Sequence, residues 1–471
     1  MGSYLKVLFT ILHIAFLRVV NALPQLNGAF DPNRFHPDDI ITRDVCIIGG
    51  GAAGTYAAIR LHDMGKSVVV VEKQDHLGGH VNTYIDKTTG EVINIGVQIF
   101  HKMDIVSNYF QRLGVSLEDS ANPPFPTTYL DFDSGKSVPG FMPASDAAIG
   151  QAFQTYGSIV AANYSYLEAG YFLPEPVPEE LLMPFEDFAT KYGLGAIAPI
   201  INEYNQNNGE LWKQPTLYVI KAFGLALLQA FEQGFVTTHD VNDLYKSAAN
   251  ILGENVLHSS MVAAMDRNCS TTYMCIVVKT PNGKKLVKSK KLLMTGPPML
   301  DNLRGWDLSN TETDVFEKFS ALGYFAGVIH NDGIPESSDL FNIGTHNPFN
   351  LNSLPGCFIL LHTDLPGQHL AYYGTNAPVS SHNAQNGIVD QINRLAENGN
   401  FPAAKTDFLY WTDHTPYRLY TSVDEIKNGF YKKLYALQGT KNTFWSGATW
   451  ITHDSSLIWA FTEGLLAEIA A

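Results

Sequence analysis

The alternation of apolar and polar residues near the amino end of the chain predicts a strand, a glycine turn, a helix and a second strand. The first strand is the apolar run at residues 45–48, and the second is the run at residues 68–71. Between the two strands, Gly65 is placed to end a helix. The apolar residues of that helix recur at helical spacing and are Ala53, Ala57, Leu61 and Met64. This order predicts a βαβ unit with a buried parallel sheet, starting at Asp44.

Before this unit, residues 23–43 are polar and rich in turn formers, which indicates a leader into the fold. After it, the pattern changes twice. Between about residues 145 and 245 the pattern becomes helical, as in 218–231, and a proline-rich loop at 173–178 interrupts it, which predicts an inserted helical subdomain. Strand patterns return at 274–279 and 290–295 around an Asn282-Gly283 hairpin turn, and a last amphipathic helix is predicted near residues 455–469.

The length of 471 residues exceeds the roughly 250 to 300 at which a single core stops growing, so two domains are expected. We predict a cofactor-binding domain from residues 42–105, 245–300 and 435–471. A substrate domain with the helical subdomain takes residues 106–244 and 301–434. The fold class predicted is α/β, with a Rossmann-like first domain and a mixed α+β second domain.

Charge and cysteine usage exclude two classes of partner. The formal net charge of −15 lacks the positive field that nucleic acid requires, so we expect no nucleic-acid partner. Cys46, Cys269, Cys275 and Cys357 form no CxxC pair and stand at no zinc-ligand spacing, so no structural metal is expected. In an oxidising compartment Cys269 and Cys275 can bridge, whereas Cys46 lies within an apolar strand and is expected to be an inert thiol.

Residues 1–22 have the composition of a secretory signal peptide. Lys6 precedes an apolar run at residues 7–16, and cleavage is predicted near Ala22. The alternative is an uncleaved anchor, but Arg18 interrupts the run, which falls short of the roughly 20 apolar residues needed to span a bilayer. Membrane association is therefore not expected after cleavage. Sequons at Asn163 and Asn268 fit the secretory pathway, with the protein secreted or held in a vesicular compartment.

The glycine turn has the spacing of a dinucleotide-binding fingerprint. Gly49 permits the tight turn, Gly51 lets the backbone approach a pyrophosphate, and Gly54 allows the helix to pack on the sheet. Glu72 ends the second strand, where its carboxylate is placed to accept hydrogen bonds from ribose hydroxyls. The same carboxylate would repel a ribose 2′-phosphate, which argues against NADP. The fingerprint by itself does not separate FAD from NAD.

Motifs spread along the chain distinguish an FAD-binding protein from an NAD-binding one. These are the fingerprint and the segments 77–80, 94–98, 291–298 and 444–450. With them the chain resembles the FAD-dependent amine-oxidase superfamily, which implies an amine-oxidase-like fold and FAD as cofactor. The resemblance implies cofactor contacts at Gly49, Gly51, Ala53, Gly54, Glu72, Lys73, Gly79, His80, Val262, Gly447, Ser455 and Ser456.

Within that superfamily, His80 stands where monoamine oxidases have arginine after the Gly-Gly pair. The segment 78–84 instead resembles the β-cyclopiazonate dehydrogenase family, which is also similar to bacterial polyenoic fatty-acid isomerases. The resemblance implies a histidyl-linked flavin, for which His80 is the candidate. The alternative is that His80 hydrogen-bonds the pyrophosphate or ribityl chain without a covalent link.

The same resemblance implies a function. FAD would take a hydride equivalent from a small apolar organic substrate, a ring would close onto the electron-poor product, and reduced flavin would pass electrons to an acceptor such as dioxygen. The alternatives are a redox-neutral isomerase of polyenoic fatty acids, an amine oxidase, or a flavin-binding protein without turnover.

Weaker candidates complete the prediction. Gln98 and His101 lie past a strand that enters the active-site side of such folds, and either can face the substrate. The alternative is that they are an ordinary polar pair at the end of a strand. No catalytic base is identified. Aromatic residues at helical spacing either line an apolar pocket or belong to the core, and they are Phe223, Phe231 and Phe235. The neighbours Asp413-His414 and His453-Asp454 suggest charge-paired imidazoles.

Overall fold

The structure is a computed structural model that describes residues 28–121 and 125–471. The predicted signal peptide at residues 1–22 lies outside the described residues, so its cleavage stays a prediction. Within the described residues, no helix is both long and apolar enough to cross a membrane.

The described residues form strands that we number in chain order. They are β1 (Ile40–Ile48), β2 (Val68–Val71), β3 (Thr83–Ile85), β4 (Val92–Asn94), β5 (Phe100–His101), β6 (Glu118–Asp119), β7 (Thr127–Asp131), β8 (Lys136–Ser137), β9 (Phe235–Thr237), β10 (Val256–Leu257), β11 (Met261–Asp266), β12 (Met274–Thr280), β13 (Gly283–Met294), β14 (Ser320–His330), β15 (Asp339–Asn342), β16 (Gly356–His362), β17 (Gln368–Thr375), β18 (Asp407–Asp413), β19 (Tyr417–Tyr420) and β20 (Thr443–Trp445).

The helices are numbered in the same way. They are α1 (Ala52–Asp63), α2 (Asp104–Leu113), α3 (Asp146–Asn163), α4 (Glu179–Leu182), α5 (Phe185–Tyr192), α6 (Ala198–Tyr204), α7 (Thr216–Ala222), α8 (Leu225–Gln233), α9 (Asn242–Leu252), α10 (Asn310–Phe316), α11 (Ser381–Glu397), α12 (Val423–Lys427), α13 (Phe430–Tyr435) and α14 (Ser455–Ala470).

The first sheet has the order β10-β2-β1-β13-β12-β11, and β20 also pairs with β13. Strands β10, β2, β1, β13 and β20 are parallel to their neighbours, whereas β12 and β11 are antiparallel additions. All four residues of β2 are buried, as expected of a parallel strand covered on both faces. Helices α1, α2, α9 and α14 cover one face with an apolar core. The predicted βαβ unit is confirmed.

Strand β1 starts at Ile40, earlier than predicted. Residues 40–43 belong to the predicted leader at 23–43, which rests on the turn formers Asn27, Gly28, Pro32, Asn33 and Pro37. They are in the sheet because β13 is itself long and pairs with β1 in register from Ile40 opposite Leu286. Strand β13 likewise runs from Gly283, so the predicted strands at 274–279 and 290–295 form one direct hairpin.

The second sheet has the order β18-β14-β17-β16-β15-β7-β8, and β19 continues along β14. It is mostly antiparallel, with one parallel pair between β7 and β15. Helix α11 packs on this sheet and buries a separate core. Apart from residues 40–41 of β1, the strands of the two sheets lie within the two sets of predicted segments, and the division into two domains stays a prediction. The fold class, α/β with a mixed second domain and a helical insertion, is confirmed.

The helical insertion contains one break that the pattern at residues 218–231 did not predict. Helix α7 ends at Ala222 and α8 begins at Leu225. The carboxylate of Glu168 accepts hydrogen bonds from the backbone N–H groups of Leu225, at 2.7 Å, and Ala226, at 3.1 Å. A continuous helix would bond those N–H groups internally, so the carboxylate caps a new helix instead.

Cysteine placement agrees with the sequence prediction. Cys269 and Cys275 form a disulfide, and Cys46 is a buried free thiol. Burial raises the pKa of Cys46 to about 12, which makes it unreactive. The sequon residues Asn163 and Asn268 are exposed, and their glycosylation stays a prediction.

Candidate functional site

The carboxyl ends of the parallel strands meet at one edge of the first sheet. Gly49 follows β1, Glu72 follows β2, Thr295 follows β13 and Gly447 follows β20. The Thr295 hydroxyl lies 3.0 Å from the carbonyl oxygens of both Ile48 and Gly49. A Cβ on Gly447 would lie 2.5 Å from the Thr295 carbonyl oxygen, so these turns are in close contact. Such an edge, where the helices start, is the usual ligand site of doubly wound sheets.

Gly51 and Gly54 of the fingerprint differ in what surrounds them. A Cβ on Gly54 would lie 1.9 Å from the Gly49 carbonyl oxygen, so Gly54 is required by packing. A Cβ on Gly51 would meet only the Cα of Gly79, at an ordinary 3.7 Å. The space in front of Gly51 is therefore a cradle that a side chain would fill. It opens onto the uncapped start of α1, where the buried Ala53 also lies. Free N–H groups at such a helix start fit a pyrophosphate.

Glu72 is 4% exposed and contacts the fingerprint turn. Its carboxylate accepts hydrogen bonds from the N–H of Gly50, at 2.5 Å, and of Gln74, at 2.7 Å. The Ser260 N–H donates to the backbone carbonyl of Glu72, which places Val262 two residues beyond this contact. The predicted ribose contact of Glu72 and adenine contact of Val262 stay predictions.

The Gly78-Gly79 stretch crosses directly over the fingerprint. A Cβ on Gly79, which has a positive φ of 61°, would lie 2.9 Å from the Cα of Gly51, so only glycine permits this approach. The following residue, His80, stacks on the His414 ring, with centroids 4.4 Å apart, and lies 6.0 Å from the His453 ring. The structure thus brings together three imidazoles from separate segments, a group that we call the imidazole stack (His80, His414 and His453).

Burial keeps the imidazole stack neutral. Desolvation, together with the nearby Lys73, lowers the pKa of His80 to about 4 against the opposing charge of Asp413. Desolvation holds the pKa values of His414 and His453 well below the ordinary range, with a further contribution from His80 at His414 and from Arg418, His80 and His414 at His453. Unprotonated imidazoles retain a free ring nitrogen, which either a hydrogen bond or a covalent link to a cofactor requires.

His101 is paired with the start of the final helix. Its Nε2 lies 2.9 Å from Oδ2 of Asp454, and its backbone N–H donates to the Ser456 hydroxyl at 3.1 Å. Burial opposes the charge on His101, but Asp454 and the more distant Glu168 outweigh burial and raise the pKa of the imidazole. Asp454 also accepts the Leu457 N–H and so caps α14.

The suggestion that neighbours in sequence form charge pairs is wrong. Asp413 accepts hydrogen bonds from Thr415 and Ser381 rather than from His414. His453 Nε2 accepts the backbone N–H of Arg418 at 3.1 Å, and Asp454 pairs with His101. Adjacent side chains point in different directions along an extended backbone, so adjacency did not predict contact.

Gln98 contacts the second sheet through Tyr372 of β17. Its amide donates to the Tyr372 hydroxyl at 2.6 Å, and that hydroxyl donates to the Ile95 carbonyl. Phe223 is fully buried and belongs to the core, whereas Phe231 and Phe235 are only partly buried. The ring of Phe235 lies 5.9 Å from that of His101.

Two cations near this region were missed in the sequence. Lys221, on α7, is 5% exposed, and its Nζ lies 5.6 Å from the centre of the Tyr171 ring. Arg418 has a positive φ of 44°, and its buried Nε has no hydrogen-bond partner among the described residues. The position of Lys221 inside the apolar run 218–223 is a sequence signal for a buried cation. The sequence around Arg418 contains no comparable signal.

The cavities among the described residues include the following two. One, of about 370 Å³, lies between α14 and the helical insertion and is lined by Glu168, Ile451, Leu457, Phe461 and their neighbours. The other, of about 490 Å³, is a polar cleft on the substrate sheet near Asp131 and contains none of the predicted cofactor residues. The smaller cavity is likewise lined by none of the predicted cofactor residues, although Leu457 directly follows Ser456 in the chain.

We expect acid to destabilise the fold through the imidazole stack. Because its folded pKa values lie below the ordinary value of 6.5, the unfolded chain binds more protons, and stability present above pH 6.5 is lost as the pH falls toward about 4. His414→Phe should reduce the dependence of the unfolding free energy on pH in that window by up to about 1.4 kcal/mol per pH unit. Urea titrations at several pH values measure this. The exposed His382→Phe is the control, and equal pH dependence in both variants would contradict the expectation.

Comparison with known proteins agrees with the geometry. A family model described as an NAD(P)-binding Rossmann-like domain matches residues 47–113. An FAD-dependent oxidoreductase of Cochliobolus heterostrophus is 38% identical over 443 residues, covering 91% of each chain. The β-cyclopiazonate dehydrogenase of Aspergillus flavus is 33% identical over 442 residues, covering 93% of this chain and 95% of the relative.

Solved structures share the fold. A fatty acid isomerase from P. acnes that produces CLA superposes with a TM-score of 0.73 at 20% identity, covering 90% of this chain and 98% of that one. Cyclohexylamine oxidase from Brevibacterium oxydans gives a TM-score of 0.61 at 15% identity, covering 91% and 98%. The open cradle at Gly51 and the helix start behind it fit the FAD that these relatives imply. The chain is an FAD-dependent enzyme and belongs to the family of fungal FAD-dependent oxidoreductases that includes β-cyclopiazonate dehydrogenase.

Proposed function

We propose that the protein catalyses a two-electron oxidation of a small, largely apolar secondary metabolite, by dehydrogenation or oxidative cyclisation, with dioxygen as the electron acceptor. The observation that carries the proposal is a group of uncharged side chains next to Gly79, at the predicted cofactor site. This neutral wall consists of the imidazole stack, Tyr324 and Tyr417. The Tyr417 ring lies 4.1 Å from His453 and 4.7 Å from Tyr324. Burial raises the pKa of both tyrosines, as it lowers those of the imidazoles. Every titratable group of the wall is therefore uncharged at neutral pH.

An uncharged, buried wall suits the removal of hydride from carbon. When bound, FAD accepts a hydride equivalent from the substrate. Tyr324 and His414 are both almost completely buried, so they exclude water from this side of the site. Exclusion of water protects an electron-poor product from hydration and leaves a nucleophile within the same molecule to close a ring.

Two alternatives use the same cofactor residues. The likeness to the fatty acid isomerase supports an isomerase function. The likeness to cyclohexylamine oxidase supports an amine-oxidase function. Both likenesses are of fold, at 20% and 15% identity, and they leave the chemistry open. The higher identity to a relative named as a dehydrogenase supports oxidation.

Anaerobic reduction tests the proposed function. We expect the purified protein to be yellow and to bleach when an oxidisable apolar metabolite is added without oxygen, because the electrons then stay on the flavin. Bleaching should reverse when air is admitted. An isomerase would show turnover without lasting bleaching, and bleaching by simple amines alone would favour amine oxidation. Acid precipitation of the same sample tests the link at His80, because a covalent flavin stays in the pellet and a non-covalent one is released.

A further inference from the structure

A closed circle of direct contacts links the helical insertion, strand β9 and the second sheet. We call its members the contact ring, and they are Gln98, Tyr204, Gln206, Phe235, Thr237, Tyr324 and Tyr372. The contacts are hydrogen bonds and ring contacts between residues that are far apart in the sequence. The contact ring therefore exists only in the folded protein.

One half of the contact ring lies on the second sheet. The rings of Tyr324 on β14 and Tyr372 on β17 are 12° from parallel, with centroids 6.4 Å apart. The Tyr372 hydroxyl accepts an N–H of the Gln98 amide at 2.6 Å. The Tyr324 hydroxyl donates to Oε1 of Gln206 at 2.7 Å. Two neighbouring phenols thus hold two carboxamides beside the sheet.

The other half of the contact ring comes from β9 and the end of α6. The Thr237 hydroxyl donates to the backbone carbonyl of Gln98 at 2.7 Å. Phe235, on the same strand, stacks on Tyr204 with ring centroids 6.4 Å apart. Gln206 follows Tyr204 by two residues, which closes the circle. Tyr204 is 39% exposed, so the contact ring is open to solvent on this side.

The contact ring also borders the predicted cofactor site. The Phe235 ring lies 5.9 Å from that of His101, whose backbone N–H is bonded to Ser456. The Tyr324 ring lies 5.9 Å from that of His414, in the imidazole stack. A molecule held inside the contact ring would therefore lie between solvent and the edge that binds the cofactor.

The two amides of the contact ring each retain one unused hydrogen-bonding group. Tyr372 donates its own proton to the Ile95 carbonyl, so its oxygen must accept the N–H of Gln98, which leaves Oε1 of Gln98 as an acceptor. At Gln206 the order is reversed, because Oε1 accepts the Tyr324 proton and Nε2 is left as a donor. Neither atom has a hydrogen-bond partner within the part of the chain that the structure describes. Both amide side chains are only half-buried, so a ligand can reach them.

The loop that carries Gln206 is held in place by its neighbours. Asn207 is completely buried with a positive φ of 52°, and its amide donates to the Gly323 carbonyl at 2.6 Å. Asn208 is 1% exposed, and its amide donates to the Tyr218 carbonyl at 3.4 Å. Backbone strain of this kind is concentrated at functional sites. The donor of Gln206 is therefore positioned before a ligand arrives, which reduces the entropy lost on binding.

We propose that the contact ring binds an uncharged polar group of the substrate, a hydroxyl or a secondary amide. This group donates a hydrogen bond to Oε1 of Gln98 and accepts one from Nε2 of Gln206, while the aromatic rings contact the apolar remainder. The inference rests on the proposed function and adds the residues that orient its substrate. A carboxylate has no proton for Gln98, and an ammonium has no lone pair for Gln206, so neither ion satisfies both amides.

The test compares octanol with heptyl methyl ether, which has the same number of heavy atoms but can only accept a hydrogen bond. Binding to the holoenzyme is followed by the flavin spectrum and by calorimetry, so that a probe which leaves the flavin undisturbed is still detected. We expect octanol to bind at least about fivefold more tightly than the ether, which corresponds to about 1 kcal/mol, because only octanol can donate to Gln98. N-methylheptanamide then separates the two candidate groups, since tighter binding than octanol identifies an amide and weaker binding a hydroxyl.

Two variants should change this preference in different ways. Gln98→Met removes the acceptor, so octanol and the ether should bind equally. Gln206→Glu retains an acceptor for the Tyr324 hydroxyl but removes the free N–H. The ether then loses its partner and should bind at least about fivefold more weakly than to the wild-type protein, while octanol should still be preferred. A purely structural role of the amides would change the affinity for both probes alike.

Gln151→Met is the matched control, because Gln151 is an exposed glutamine on α3. It should leave both affinities unchanged. Equal affinity of the wild-type protein for octanol and the ether, or no binding of octanol, would overturn the inference. A Gln98→Met protein that still prefers octanol would overturn it as well. In each of these cases a yellow protein that bleaches reversibly would leave the proposed function standing.

Discussion

Gly51→Ala is expected to give a folded protein that has lost its FAD. The added methyl group meets only the Cα of Gly79 at 3.7 Å, so it costs the protein little by itself. It does fill the cradle in front of the uncapped start of α1, where a pyrophosphate must approach the backbone. We expect the flavin absorbance per polypeptide to fall at least about tenfold, since losing a charge-assisted hydrogen bond from the backbone to phosphate costs about 1.4 kcal/mol or more.

Two companion variants separate this effect from a general loss of structure. Gly150→Ala, on the exposed side of α3 with nothing within 4 Å of the new Cβ, should retain both fold and flavin. Gly54→Ala should fail to fold, because its Cβ would lie 1.9 Å from the Gly49 carbonyl oxygen. Circular dichroism reports the fold, and visible absorbance reports the flavin. A Gly51→Ala protein that keeps its full flavin content would show that the cradle is not the pyrophosphate site.

Arg267→Met is expected to lower the free energy of unfolding by about 3–5 kcal/mol. The guanidinium of Arg267 is completely buried and pairs with two carboxylates, those of Asp307 and Glu312. It donates to Glu312 through both terminal nitrogens, at 2.6 and 2.8 Å, and to Asp307 through Nε at 2.9 Å. Glu312 in turn forms a capping box with Ser309 at the start of α10. Removing the cation leaves the buried Glu312 carboxylate without its partner, which is the costly outcome for a buried pair.

Denaturant titration in saturating FAD measures this loss. Arg304→Met provides the control, because Arg304 also pairs with an aspartate, Asp301, but with both side chains at least 80% exposed. An exposed pair contributes at most about 1 kcal/mol, so the control should change stability little. A similar, small change in both variants would contradict the assignment of Arg267 as the centre of a buried ion-pair cluster.

The sequence predicted most of the first domain because its signals are local. The glycine spacing from Gly49 to Gly54, the apolar strand at 68–71 and the stop at Gly65 each act over a few residues and agree with one another. The start of β1 and the break between α7 and α8 were not predictable in this way. The first depends on the length of β13, and the second depends on Glu168, whose carboxylate comes from a distant turn.

By itself, then, the sequence determined the βαβ unit and the packing role of Gly54, because those depend on backbone conformation and on contacts within one short segment. Motifs spread along the whole chain determined the family and the cofactor class. Only the tertiary structure decided which charged and titratable groups meet. It paired His101 with Asp454 and stacked His80 on His414. The physical reason is that electrostatic and stacking interactions depend on distance in space and on burial, and neither can be inferred from spacing along the chain.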